Sequence, residues 1–324
     1  MTPKENEAIG VSVSGDGPRP SKRACLSSPR SSARATALEE SNHAAESAIQ
    51  STPTQPKLHF RSFEIARPLG NGAFGQVYLA RHRESGLICA LKVLNKENIM
   101  RDGKERHVRR EIEVHSHVRH PGIIGFYGWF HDSSRIVLIL EYAIGGELFK
   151  VLLREDHFSE QRAAKYVAQI AFSLSYLHDK HIMHRDIKPE NILLGLQGEL
   201  KLADFGYSVH APDNIRETKC GTLDYMPPEM LVRGPASYTN AVDLWALGVL
   251  TYELLTGRTP FADNTAAATR SRISRLDMEP LPAALSSEAK QFVHSLLVLD
   301  PPSRLSPKDV LDHPWIVKNC KSPG

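Results

Sequence analysis

The chain of 324 residues has no apolar run approaching the roughly twenty residues that cross a bilayer, so nothing in it reads as a membrane span. Its N-terminus lacks a charged segment followed by an apolar stretch, which argues against a secretory leader. Cysteine is scarce. The four residues at 25, 89, 220 and 320 show no CxxC spacing, so they read as reduced thiols of the cytosol or nucleus and give no framework for disulfides or zinc. An excess of one charge is also missing: a net +3 offers little for wholesale binding to nucleic acid or a membrane surface. No repeat with a period of about 20–50 residues is present, which sets aside solenoids and propellers. Residues 1–59 contain no Phe, Tyr or Trp and are crowded with Ser, Thr, Pro, Ala and charge. Such a composition cannot bury enough apolar surface to offset its ordering entropy, and the segment is expected to be disordered.

From Phe60 onward the chain can build a core: overall hydrophobic content is 41%, with three Trp and eleven Phe. Residues 63–68, 76–80 and 88–93 read as short strands separated by glycine-bearing turns, 104–117 as a charged helix, and 123–130 and 136–142 as two more strands. The expectation is a five-stranded sheet with one helix. Beyond Gly145-Gly146 the period is helical, most clearly at 161–178, 239–256 and 288–299. These elements predict an α+β fold of two lobes over 60–317. The small β lobe covers 60–142, the helical lobe covers 146–317, and a short tail occupies 318–324.

Several strings carry chemistry. Residues 70–77 read Gly-Asn-Gly-Ala-Phe-Gly-Gln-Val, so Gly70, Gly72 and Gly75 flank Asn71 in a loop where backbone amides can approach a polyphosphate. The segment after Gly75 continues as strand, which favours a hairpin lid over the helix-opening loop of dinucleotide-binding folds. Lys92, in Ala90-Leu91-Lys92, lies on an apolar strand where an unpaired ammonium is costly to bury, so it needs an anionic partner. Glu111 on the following helix can supply one, with Glu105 and Glu113 as competitors. Residues 184–191 read His-Arg-Asp-Ile-Lys-Pro-Glu-Asn, and Asp-Phe-Gly follows at 204–206. Two short strings thus supply two carboxylates, a lysine and an amide, a set suited to handling a phosphate.

This ordered set resembles eukaryotic protein kinases. The resemblance implies that Asp186 orients and deprotonates the acceptor hydroxyl, that Lys188 neutralises the migrating phosphoryl group, and that Asn191 and Asp204 hold Mg²⁺. It also implies that Lys92 and Glu111 orient the ATP phosphates, and that Leu69, Val77, Ala90 and Leu140 belong to the ATP site, with Leu140 as gate. The backbone of Glu141 and Ala143 would meet the adenine edge and Glu147 would lie near the ribose. The Asp-Ile-Lys-Pro-Glu-Asn run resembles Ser/Thr kinases rather than tyrosine kinases. By the same resemblance Thr218 is the regulatory phosphosite, its phosphate pairing with Arg185, although Glu217 departs from the double arginine of efficient self-phosphorylation. Thr222 would touch Asp186 and Lys188. His184 and Phe205 are expected to pack, Asp243 to brace the catalytic loop, Trp245 to be structural, and Arg304 to pair with Glu229. A pseudokinase scaffold is the reading from another class, disfavoured because Lys92, Asp186, Asn191 and Asp204 are all present.

Longer stretches narrow the likeness. Residues 109–121 (Arg-Arg-Glu-Ile-Glu-Val-His-Ser-His-Val-Arg-His-Pro), 198–212 and 220–230, together with His-Pro-Trp-Ile at 313–316, resemble the Aurora kinases. Tyr207 and Gly125 depart from that pattern, the first standing where Trp is usual and the second where a larger residue is usual. Gly145-Gly146-Glu147 is more similar to the chromosome-passenger branch. Glu147, Glu190 and Glu253 match acidic positions with which basophilic kinases bind arginines upstream of the acceptor. The resemblance further implies roles in mitosis, an activator similar to the inner-centromere protein or a spindle-targeting factor, and residence in the nucleus, at centromeres and on the spindle with a cytoplasmic pool. Lys4-Glu5-Asn6 resembles a destruction signal, Arg23–Leu26 could be a second, and Arg19, Lys22 and Arg23 form a basic cluster that would suit a nuclear address.

Overall fold

A computed structural model describes residues 58–72, 75–211, 222–232 and 237–320. The expected tail signals at Lys4-Glu5-Asn6 and Arg23–Leu26, the Arg19, Lys22 and Arg23 cluster, Arg216, Glu217 and Thr218, and Cys25 and Cys220 lie outside the described residues, as do the side chains of Asn71 and Gly72.

The small lobe is one antiparallel sheet of β1 (Phe63–Gly72), β2 (Gly75–His82), β3 (Ile88–Asn95), β4 (Phe126–His131) and β5 (Arg135–Glu141), in the order β1-β2-β3-β5-β4. Side chains alternate across a strand, and residues directly opposite share a face. Val77 stands opposite Lys92, and Ala90 stands opposite Leu140, so these four share one face. The other face buries Phe63, Ala80, Cys89, Leu91, Phe130, Val137 and Ile139. Helices α1 (Lys96–Arg101) and α2 (Glu105–Ser116) cover the first face through Ile99 and Val108, which pack with Leu94 and Leu138.

Two expectations for this lobe need correction. A second helix, α1, accompanies the expected one. Its start is fixed by Asn95, whose side chain accepts from the backbone N–H of Glu97 and Asn98. The strand expected from residue 123 begins at Phe126 instead. Ile123 and Ile124 are apolar because they turn to the large lobe, where Ile123 bridges Leu202 in parallel and Ile124 N–H donates to Leu202 O at 2.9 Å.

The large lobe contains α3 (Leu148–Glu155), α4 (Glu160–Asp179), α5 (Pro228–Leu231), α6 (Ala241–Thr256), α7 (Ala266–Arg275), α8 (Ser287–Leu296), α9 (Pro307–Asp312) and α10 (Pro314–Cys320). The helix expected at 288–299 ends three residues early, and α3, α5, α7, α9 and α10 were not anticipated. Short strands β6 (Gly146–Glu147), β8 (Ile192–Leu194) and β9 (Leu200–Leu202) form one small sheet, and β7 (Ile182–Met183) pairs with β10 (Val209–His210). Every residue of α6 except Glu253 and Thr256 is buried, which makes it the spine of this lobe. Trp245 stacks on Phe261 with centroids 5.5 Å apart, and Phe292 meets Trp315 at 4.9 Å. No described helix is long and apolar enough to cross a membrane.

Arg304 closes the lobe as expected. Its Nη1 and Nη2 donate to the two carboxylate oxygens of Glu229, both at 2.7 Å, while Nε reaches Val298 O and the guanidinium lies over Trp245. Arg304 is 5% exposed, so its removal strands a largely buried carboxylate. Arg304→Ala should destabilise the fold by about 3–5 kcal/mol in chemical denaturation, and Arg304→Lys, which cannot grip bidentately, should recover little of it.

Candidate active site

The shared face of β2, β3 and β5 sets Lys92 beneath the glycine hairpin, 6% exposed. Its ammonium donates to Glu111 Oε1 at 2.5 Å and to Asp204 Oδ1 at 3.2 Å. Of the three glutamates open to it in the sequence, Glu111 is the buried one, since α2 turns Glu105 and Glu113 to the surface. Burial alone would discharge Lys92, but the charges of Asp204 and Glu111 outweigh it and hold the ammonium protonated. Lys92 in turn holds the Asp204 carboxyl below the usual carboxylate range. Glu111 Oε2 is buried and has no partner.

Asp204 has φ +60° and Arg185 has φ +69°, conformations that ordinary residues adopt only when their surroundings impose them. For the catalytic loop that imposition comes from Asp243 on α6. Its carboxylate accepts the backbone N–H of His184 (2.9 Å) and Arg185 (2.8 Å) and pairs with His178 Nε2 (2.9 Å). Burial would raise its pKa, yet the His178 hydrogen bond and charge, with the backbone donors, keep it lowered. The bracing role expected of Asp243 thus has a concrete form. Phe205 is fully buried between His184 (5.1 Å) and His115 (4.5 Å).

The loop then presents its polar groups in one cluster. Asp186 Oδ2 accepts from Asn191 Nδ2 at 2.7 Å and pairs with Lys188 Nζ at 2.9 Å. Lys188 also donates to Thr222 Oγ1 at 2.7 Å, and that hydroxyl donates to Asp186 Oδ1 at 3.3 Å. Asn191 is tied to the Asp204 segment by its backbone oxygen, which accepts Ala203 N–H at 2.8 Å. Arg185, the expected partner of a phosphate on Thr218, is 9% exposed and donates to Tyr207 O and Tyr238 OH.

Among the described residues, no group of three or more His, Cys, Asp or Glu gathers as a metal cage. The Asn191 amide spends its nitrogen on Asp186, leaving its oxygen as a hard ligand, and Asp204 supplies another. Two oxygen ligands fit an ion such as Mg²⁺, which keeps water and substrate phosphate in its shell. At the hairpin, a Cβ on Gly75 would stand 1.9 Å from Val93 O, so only glycine permits this approach to β3. A Cβ on Gly70 would lie 3.8 Å from Glu147 Oε1, which sets the lid over that carboxylate. Leu69 falls within a register shift of β1 between Pro68 and Gly70. Glu141 and Ala143 follow at the exit of β5, where Ala143 is buried.

A second group of carboxylates lies below the loop. Burial, with the charges of Glu190 and Asp224, raises the pKa of Glu253 to about 8, and the Tyr225 hydroxyl donates to Glu253. Glu147 stands apart from this group and pairs with Lys150 at 2.9 Å. Asp224 escaped the sequence reading although it follows Thr222 by two positions; an acid there was the available signal. His115 escaped it for the opposite reason, since it occupies an apolar position of α2. Its Nε2 faces Ile124 O at 2.7 Å and must carry the proton, and burial lowers its pKa to about 4, so it stays neutral.

Residues 63–316 match the family model described as "Protein kinase domain". The chain is 55% identical over 261 residues to "Aurora kinase A-B" of Xenopus laevis, covering 81% of this chain and 63% of the relative. It is 52% identical over 267 residues to "Aurora kinase" of Schizosaccharomyces pombe, covering 82% and 74%. To "Aurora kinase C" of Mus musculus it is 48% identical over 271 residues, covering 84% and 97%. The chain therefore spans a little under two thirds of the frog relative's length and nearly all of the mouse relative's. With a protein kinase domain matched over most of the chain and about half of its residues identical to those of Aurora kinases from frog, fission yeast and mouse, the chain belongs to the Aurora family of protein kinases.

Proposed function

We propose that this chain is a protein serine/threonine kinase that transfers the γ-phosphate of ATP to Ser or Thr in arginine-rich sequences, in control of chromosome segregation and the spindle. The observation that carries the reading is the Asp186 carboxylate, held among Asn191, Lys188 and Thr222 beside the Lys92–Asp204 pair. Asp186 takes the proton of the acceptor hydroxyl as that oxygen bonds to the γ-phosphorus and the bond to the leaving ADP oxygen breaks. Lys188 offsets the charge on the migrating group, and Lys92, fixed by Glu111, orients the α and β phosphates. Asn191 and Asp204 would hold magnesium, which would supply charge neutralisation for the phosphate. Val77, Ala90 and Leu140 enclose the base with Leu69, and the backbone of Glu141 and Ala143 reads its edge. Gly70, Asn71, Gly72 and Gly75 cover the phosphates, and Glu147 meets the ribose or an upstream arginine.

Transfer from MgATP to an Arg-Arg-x-Ser peptide should fall about 10²–10⁴-fold in Asp186→Asn and weaken when the peptide arginines become alanine. Full activity in Asp186→Asn would sink the assignment. Magnesium-dependent ATP binding without transfer, even after Thr218 phosphorylation or with an activator peptide, would favour the scaffold reading instead.

The basophilic reading is supported by Glu253, whose charged form is disfavoured by burial and by the nearby Glu190 and Asp224 carboxylates and would be favoured by a guanidinium. Glu253 is protonated below about pH 8 and an arginine favours its charged form. Peptide binding should therefore release protons and tighten as pH rises from about 6 to 8. Calorimetry in buffers of different ionisation enthalpy reads this directly, and no proton release, or tighter binding at the lower pH, would contradict it.

An activator docking on the small lobe is in keeping with two surfaces. Edge strand β4 exposes Tyr127 and Trp129 at 50% and 46%. A cleft of about 550 Å³ lies behind α2, with Arg110, Val114 and His117 facing Ile182 and Val209. A peptide there would hold Glu111 toward Lys92. Residence in the nucleus, at centromeres and on the spindle, with a cytoplasmic pool, belongs to the same proposal.

A further inference from the structure

Gly125 packs against the end of β5, and its surroundings show what the lack of a side chain there allows. An added Cβ would stand 3.4 Å from Glu141 Cβ and Oε2 and 3.4 Å from Tyr127 Cε1. These are ordinary contact distances, so a methyl group fits, while a long side chain extended from it would run against Glu141 and Tyr127. With glycine present, residues 125 and 141 exchange two hydrogen bonds: Glu141 N–H donates to Gly125 O at 2.8 Å, and Gly125 N–H donates to Glu141 Oε2 at 2.9 Å. The other carboxylate oxygen, Oε1, pairs with Lys201 Nζ at 2.9 Å, and the same ammonium donates to Pro121 O at 3.0 Å.

The two ends of this pair belong to different lobes. Glu141 ends β5 at the exit from the small lobe, while Lys201 lies on β9 of the large lobe, three residues before Asp204. Backbone bonds anchor the next residue of β9 to the same crossing segment: Leu202 N–H donates to Gly122 O at 2.8 Å and Leu202 O accepts from Ile124 at 2.9 Å. The Lys201 side chain is 12% exposed and that of Glu141 26%, so the pair is screened less than a surface bridge. The phosphate-end chemistry uses neither side chain.

We propose that Glu141, Lys201 and the backbone of Gly125 form an interlobe clasp that fixes the hinge, making Lys201 a positioning residue for nucleotide binding. The proposal rests on the reading that the backbone of Glu141 and Ala143 meets the adenine edge. A hinge held in its binding geometry has little ordering left to do when nucleotide arrives, whereas a released hinge pays that entropy in affinity. The effect belongs in nucleotide KM and leaves the Asp186 and Lys188 step alone.

The experiment compares native protein with Lys201→Met, Lys201→Arg, Gly125→Leu and the Glu141→Gln/Lys201→Met double variant. Hydrogen exchange of the 139–143 amides is followed without nucleotide, and KM and kcat are measured for MgATP. Lys201→Met should speed hinge exchange and raise KM about threefold to tenfold, with kcat within roughly twofold of native. Lys201→Arg should restore both readouts, and the double variant should be no worse than Lys201→Met because the interaction is already lost. Gly125→Leu reaches the clasp by displacing the carboxylate and serves should Lys201→Met fold poorly. Unchanged exchange and KM in both Lys201→Met and Gly125→Leu would overturn the clasp, as would a fall in kcat with KM unaltered. Failure of MgATP to protect the native hinge amides would remove the adenine reading, while nucleotide-free exchange still decides the clasp.

Discussion

Burying the Lys92 ammonium is the constraint on which the rest depends. Left unpaired at 6% exposure it would lose several kcal/mol of hydration, so the fold must bring it anions. One comes from α2 of the same lobe, the other from the Asp204 turn of the large lobe. Because the two carboxylates would repel each other without the cation, the three groups stand or fall together. A sheet, a helix and a loop more than a hundred residues away are thereby set to one geometry, and nucleotide phosphate has a charged frame to enter.

The large lobe answers with a second buried charge. Asp243, on a helix buried nearly all round, accepts the backbone of His184 and Arg185 and so holds the left-handed turn that aims Asp186. Its stability comes from donors that fully satisfy it, which is the condition under which a buried carboxylate is tolerated. Packing carries the same message between lobes, since Phe205 joins His184 to His115 on α2, one turn beyond Glu111. The backbone at Ile123–Ile124 and the Glu141–Lys201 pair complete a set of crossings that all pass close to Asp204.

Much of this was legible because the chemistry is written in contiguous strings. Gly70–Val77, His184–Asn191 and Asp204–Gly206 are each an unbroken run of sequence, and the pairing of Arg304 with Glu229 followed from resemblance. Other features were hidden for physical reasons. Nothing local in residues 123–125 says that two isoleucines leave the sheet to pair with Leu202, since an apolar run is the same whichever lobe buries it. The α1 helix rests on an Asn95 cap and six residues, too short for periodicity to register. Glu105, Glu111 and Glu113 could be separated only when the helix was docked, because which carboxylate is buried is a tertiary fact. Asp224 becomes part of an acidic cluster only through Glu190 and Glu253, which are distant in sequence.

The most direct test of the central interaction is kcat/KM for MgATP in three isosteric variants, Glu105→Gln, Glu111→Gln and Glu113→Gln, with the fold checked by denaturation. Loss of at least about a hundredfold in Glu111→Gln alone, with the other two near native, is the result expected if Lys92 is held by that one buried carboxylate. Near-native activity in Glu111→Gln, or an equal loss in all three, would contradict it.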